Sequence, residues 1–187
     1  MTHVNRRKFI KSTAAISAVT IVSPSIAFGS KANSAIRMGI IGCGGRGTGV
    51  ISSMSQHSNT NIVAMADLFS DKLDAAKIRL DGKNKEKGFP EIAKSSTYVG
   101  PESYMQLLDN KDVDAVLISS PAYTHADFMV AAAAAGKHIY CEKPVSPDVA
   151  GCRKIEKVGE RFDKKLSMTN IIIMHYQEVH YSINRFT

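Results

Sequence analysis

The stretch IRMGIIGCGGRGTGV, residues 36–50, constrains the fold of this chain more than any other. A mainly apolar run ends abruptly in glycine, and four of the six residues from Gly42 to Gly47 are glycine. A continuous apolar run without alternation is expected of a strand covered on both faces, as inside a parallel sheet. A helix is expected to follow, from about Thr48 to Ser55. In a strand–turn–helix, the spacing of Gly42, Gly44 and Gly47 has a physical meaning. The first glycine permits a tight turn, the second leaves room for a pyrophosphate against the backbone, and the third lets helix and strand pack closely. Cys43, Gly45 and Arg46 complete the loop. The helix N-terminus adds unpaired N–H groups and a partial positive charge.

The companion residue is Asp67, which ends a second apolar run, NIVAMAD (61–67), twenty residues after Gly47. A carboxylate at that position can accept hydrogen bonds from the adenosine ribose hydroxyls and would repel a 2′-phosphate. Leu68 and Phe69 follow it, with no arginine. Loop and acid together point to dinucleotide binding, with NAD preferred over NADP.

The same alternation continues along the chain. SDKLDAAKIRL (70–80) is expected to be helical, with Ser70 as its cap and Leu73, Ala76, Ile78 and Leu80 as its apolar positions. The polar segment 81–95 is expected to be an excursion. STYVG is a weak strand, and PESYMQLLDN a short helix with Pro101 in its first turn. VDAVLISSP (113–121) is a strong strand. The alanine-rich helix HADFMVAAAAAGK (125–137) stops at Gly136. HIYCEKP (138–144) is another strand, followed by a helix to about residue 164 and a sixth strand near Leu166. Strands alternating with helices imply right-handed βαβ units. The expected fold class is α/β: a Rossmann-type, doubly wound parallel sheet with helices on both faces.

Composition excludes several classes. The formal charge of +7 is concentrated at the start: Arg6, Arg7, Lys8 and Lys11 precede any acid. Without residues 1–27, 20 Lys and Arg face 17 Asp and Glu, and aromatics are few, so no nucleic-acid surface is indicated. Cys43, Cys141 and Cys152 form neither a CxxC pair nor a metal-binding spacing. The first segment has the three parts of an export signal: basic, apolar and small-residue. RRKFIK resembles the twin-arginine motif, and Ser25 and Ala27 suit a cut after Ala27. Residues 1–35 are thus expected to be a signal and linker read by the twin-arginine export machinery, with a periplasmic destination. That route carries folded proteins, so a nucleotide could be acquired before export.

A second constellation, SSPAYTHADFMVAAAAAGKHIYCEKP, resembles the N-terminal domain of the Gfo/Idh/MocA oxidoreductases (the glucose–fructose oxidoreductase, inositol dehydrogenase and rhizopine-catabolism family). The pattern matches at Pro121, His125, Ala135, Gly136, Lys137, His138, Glu142, Lys143 and Pro144; Ser120 replaces a threonine and Ala122 the usual asparagine. The resemblance runs from about Ile36 to Leu166. It implies that Ser119, Ser120 and Pro121 border the nicotinamide ribose. It also implies that Glu142 and Lys143 lie near the nicotinamide, with Lys143 as the catalytic member acting on a substrate hydroxyl. An ammonium suits that role because it stabilises a developing alkoxide and can exchange a proton. His125 is either part of this site or a cap of the alanine-rich helix.

The resemblance further implies a sugar or polyol substrate, and a second α+β domain through which full-length relatives often form homo-oligomers. This sequence ends without that domain's pattern. Residues 36–168 read as the dinucleotide-binding domain. Residues 169–187 read as an atypical tail, truncated or frameshifted, in which His175, Glu178 and His180 do not have the spacing of a metal site. Three functions are compatible: an NAD-dependent oxidoreductase, a non-catalytic NAD-binding fragment, or part of an NAD-dependent glycoside hydrolase of the same family.

Overall fold

The computed structural model describes residues 34–162 and 168–170. The export segment, its cut after Ala27, and the tail residues His175, Glu178 and His180 lie outside the described residues. Six strands form one sheet: β1 (Ile36–Ile41), β2 (Thr60–Asp67), β3 (Thr97–Val99), β4 (Ala115–Ile118), β5 (His138–Cys141) and β6 (Met168–Asn170). Their spatial order is β3-β2-β1-β4-β5-β6, and every pairing is parallel. This is the doubly wound order, with its switch point between β1 and β4. The expected Rossmann-type α/β sheet is therefore present.

Among the described residues five α-helices connect the strands: α1 (Gly45–His57), α2 (Ser70–Glu86), α3 (Ser103–Asp109), α4 (Ala122–Ala134) and α5 (Val149–Phe162). Side chains alternate across the sheet and feed two cores. Met38 and Ile40 of β1, with Ala115 and Leu117 of β4, pack with Ile51 of α1 and Leu73, Ala76 and Leu80 of α2. Ile41, Val116 and Ile118 face the other way, toward Leu107 of α3, Met129 and Ala132 of α4, and Val158 of α5. The register between β1 and β2 slips between Met38 and Gly39. As a result Val63 and Ala64, neighbours in sequence, both join the second core.

Five local expectations are corrected. α1 starts three residues earlier than expected, directly from the glycine loop. α2 runs to Glu86, well into the supposed excursion, because Leu80 and Asn84 continue its buried face. Ile78 does not belong to that face and is 79% exposed. Ser70 does not cap α2 either: Phe69 occupies the cap position, and the Asp67 carboxylate accepts the Phe69 N–H at 2.9 Å. Pro101 lies in the turn before α3 rather than in its first helical turn.

Asn84 ties the excursion to the sheet. It is fully buried; its Oδ1 accepts the Ile62 N–H at 3.1 Å, and its Nδ2 donates to the Ile62 and Pro90 carbonyls at 2.7 and 3.0 Å. At the opposite edge of the sheet from the glycine loop, Arg37 donates to Asp114 through Nε and Nη2 at 3.0 and 2.7 Å. There too, the Lys137 ammonium donates to the carbonyls of Asn110 and Val113 at 2.8 and 2.9 Å. Both clusters join loops that strand hydrogen bonding leaves loose.

Candidate functional site

The carboxyl ends of β1, β2, β4 and β5 meet at one edge of the sheet, the edge where open α/β sheets bind ligands. The glycine loop is the part most tightly determined by sterics. Gly42 has φ +94°, and a side chain there would meet Ser119 and Ser120 backbone atoms at 2.7 Å. A Cβ on Gly47 would collide with the Gly42 carbonyl oxygen. Gly44 differs from both: a Cβ there would meet no atom within 4 Å. The fold needs glycine at the first and third positions, whereas Gly44 and its neighbour Gly45 both open on free space. α1 starts at this point with no capping side chain, so its first-turn N–H groups have neither an intrahelical partner nor a side-chain one. Open space before uncapped N–H groups is the arrangement that favours an anion at a helix N-terminus.

The loop is held from behind. Gly42 donates to the Ala66 carbonyl at 2.9 Å, and the Thr48 hydroxyl is 3.0 and 2.9 Å from the Cys43 and Gly44 carbonyls. Asp67 sits beside it at the end of β2, and its Oδ2 accepts the Cys43 N–H at 2.6 Å. Each carboxylate oxygen thus has one backbone donor and keeps a second lone-pair direction for another. The Cys43 side chain is buried beneath the loop; burial first, and then the Asp67 charge, push its thiol up to about 12. Burial does the same to Cys141, also to about 12. Neither sulfur is a thiolate nucleophile at neutral pH.

Across the switch point, Ser119 and Ser120 leave β4, and Glu142 and Lys143 leave β5. With Arg46, Ala122 and His125 they line a cavity of about 490 Å³. The ladder extends past the strand ends, with Ser119 N donating to Ile41 O at 2.8 Å and Glu142 N to Ile118 O at 2.9 Å. Pro121 caps α4 and accepts the Thr124 N–H and hydroxyl at 2.9 and 2.8 Å. Lys143 is exposed and makes no hydrogen bond or ion pair among the described residues.

Sequence reasoning missed two features. His125 lies in the first turn of α4 and is 2% exposed, with Nδ1 2.7 Å from the Pro144 carbonyl and Nε2 2.8 Å from the Ser120 carbonyl. It fastens the β4 loop to the β5 loop and does not cap α4. The second feature is an ion pair between Arg46 and Glu142: Nε to Oε2 at 3.1 Å, and Nη2 to Oε1 and Oε2 at 3.2 and 3.0 Å. It joins the first turn of α1 to the end of β5. Nothing in the spacing of two residues 96 positions apart announced it, but a base in the loop facing an acid at a buried strand end was a usable hint.

Residues 36–170 match the model of the GFO_IDH_MocA oxidoreductase family, NAD-binding Rossmann fold. The inositol 2-dehydrogenase of Pseudomonas fluorescens (strain SBW25) is 33% identical over 132 residues, covering 70% of this chain and 35% of that protein. Glycosyl hydrolase family 109 protein 1 of Shewanella sp. (strain MR-4) is 26% identical over 189 residues, covering 90% of this chain and 39% of that protein. Among solved structures, a 3-ketoreductase from Actinomadura kijaniata in complex with NADP superposes with TM-score 0.56 at 26% identity, covering 73% of this chain and 37% of that one. The chain spans little more than a third of the length of these relatives. The glycine cradle, the acid beside it and the match over residues 36–170 agree: the chain belongs to the Gfo/Idh/MocA oxidoreductase family and carries its NAD(P)-binding Rossmann domain.

Proposed function

We propose that the protein binds NAD in preference to NADP and serves an oxidoreductase that acts on a sugar or polyol hydroxyl. The observation that carries this reading is the unfilled space at Gly44 between two sterically required glycines, with Asp67 beside it. Gly44, Gly45, Arg46 and Gly47 would offer backbone N–H groups to a pyrophosphate. Asp67 would hold the adenosine ribose hydroxyls, and its charge would oppose a 2′-phosphate. Ser119, Ser120 and Pro121 would border the second ribose. When bound, a nicotinamide dinucleotide supplies a carbon that can accept or return a hydride. Lys143 would sit at the substrate hydroxyl, holding it and exchanging its proton as the carbinol becomes a carbonyl. Similarity to an inositol dehydrogenase supports the substrate class.

The test is a titration of the chain with NAD and with NADP, repeated for Asp67→Ala. NAD is expected to bind more tightly to the unsubstituted chain, and the substitution to weaken NAD and narrow the difference. Equal affinities before and after would remove Asp67 from the ribose.

A second reading, that the chain is part of an NAD-dependent glycoside hydrolase, draws on the 90% of the chain that aligns with the family 109 relatives. Turnover of a nitrophenyl glycoside at catalytic amounts of NAD would favour it. Dinucleotide binding without any turnover would favour a fragment that only binds. Export by the twin-arginine route to the periplasm, with Ala27 the last residue removed, belongs to the same proposal. Detection of a chain beginning at Phe28 in a periplasmic fraction tests it.

A further inference from the structure

Glu142 is 4% exposed, and a carboxylate so buried needs a cation close by. Two cations line the same cavity, Arg46 and Lys143. Lys143 is next in sequence, yet Glu142 pairs with Arg46, which reaches it from α1 with three contacts of 3.0–3.2 Å. The planar guanidinium matches a carboxylate at two points, which a single ammonium cannot do. His125, the other titratable group lining the cavity, has both ring nitrogens turned to carbonyl oxygens.

We propose that Arg46 is a positioning residue: by taking up the Glu142 carboxylate at two points, it keeps the neighbouring Lys143 ammonium free of an anionic partner and available to a substrate hydroxyl. This rests on the assignment of Lys143 to the substrate. The glycine loop then has a second task besides the phosphate cradle, since its one charged side chain sets the electrostatics of the lysine at the far side of the crevice. Removing the guanidinium leaves a buried carboxylate in a cavity whose other lysine or arginine is Lys143. Pairing of the two would stabilise the ammonium against the free amine.

The test reads the reactivity of Lys143 directly and needs no dinucleotide. The full chain is treated with an acetylating reagent at fixed pH, and acetylation of Lys143 is followed by peptide mass spectrometry. Lys111, at the opposite edge of the sheet, is the reference. In Arg46→Met the Lys143 rate is expected to fall about threefold or more, because a carboxylate in contact favours the unreactive charged amine. In Arg46→Met/Glu142→Gln it is expected to return to the unsubstituted rate. An unchanged rate in Arg46→Met, or a slow rate persisting in the double variant, overturns the proposal. If Arg46→Met does not fold, Arg46→Gln and Arg46→Gln/Glu142→Gln carry the same comparison, with the same supporting and overturning outcomes. Failure of the chain to bind either dinucleotide would refute the function proposed above while leaving these rates readable.

Discussion

At the scale of single residues, the site separates side chains that hold the fold from side chains that face outward. His125 belongs to the first kind. Truncating it removes the ring that bridges the Ser120 and Pro144 carbonyls, and a part-buried hydrogen bond of this kind contributes about 0.5–1.5 kcal/mol. His125→Ala is therefore expected to lower the thermal midpoint and to loosen the segment carrying Lys143. Calorimetry reads the first effect, and faster proteolysis in the 142–148 loop reads the second. An unchanged midpoint would mean that the two loops do not depend on this ring. Cys43 and Cys141 are expected to resist alkylation at neutral pH until the chain unfolds, since burial holds both thiols near 12. The glycine loop and Asp67 were readable from their spacing across one βαβ unit, and the Lys143 segment from its resemblance to the family pattern; the structure places all of them at the carboxyl edge of the sheet. The His125 fastening and the Arg46–Glu142 pair were not. Both join residues on different units, and periodicity carries no information about such contacts.

At the scale of elements, the six strands and five α-helices among the described residues were each anticipated from apolar runs and the polar segments between them. The errors fell at boundaries. α2 outran its expected end because its buried face continues to Asn84, a polar residue that a search for apolar periodicity passes over. Ile78 misled for the opposite reason: it is apolar but lies on the solvent side of the helix. Asn84 also makes a definite energetic claim. Asn84→Leu fills a similar volume but strips partners from the buried Ile62 N–H and C=O, and is expected to cost about 2–4 kcal/mol. Urea unfolding checks this, with an unchanged slope and a lower midpoint expected. A loss under about 0.5 kcal/mol, the range of an ordinary surface substitution, would mean that the 84–92 segment is not fastened to β2 in this way.

At the scale of the whole molecule, a charged cluster stands at the edge of the sheet opposite the candidate site. The edge away from the site is held by Arg37, Asp114 and Lys137. The Arg37 guanidinium holds the Asp114 carboxyl below its ordinary value of 3.8. A carboxyl depressed in the folded state stabilises the fold above its unfolded value, and that contribution is lost as pH falls through the lower folded one. The pair is partly exposed, so its contribution is modest. Asp114→Asn is expected to flatten the decline of the urea midpoint on acidification below about pH 4, while the unsubstituted chain declines more steeply. Parallel declines would show that this edge contributes nothing to acid sensitivity. The site edge carries the central claim, which is that Gly44 is glycine for the sake of a ligand and not for the fold. The most direct measurement is calorimetric titration of Gly44→Val with NAD beside its thermal midpoint. The account expects a folded protein within a few degrees of the unsubstituted chain that has lost dinucleotide binding about tenfold or more, a difference of about 1.4 kcal/mol. Undiminished binding in a folded Gly44→Val protein would contradict it.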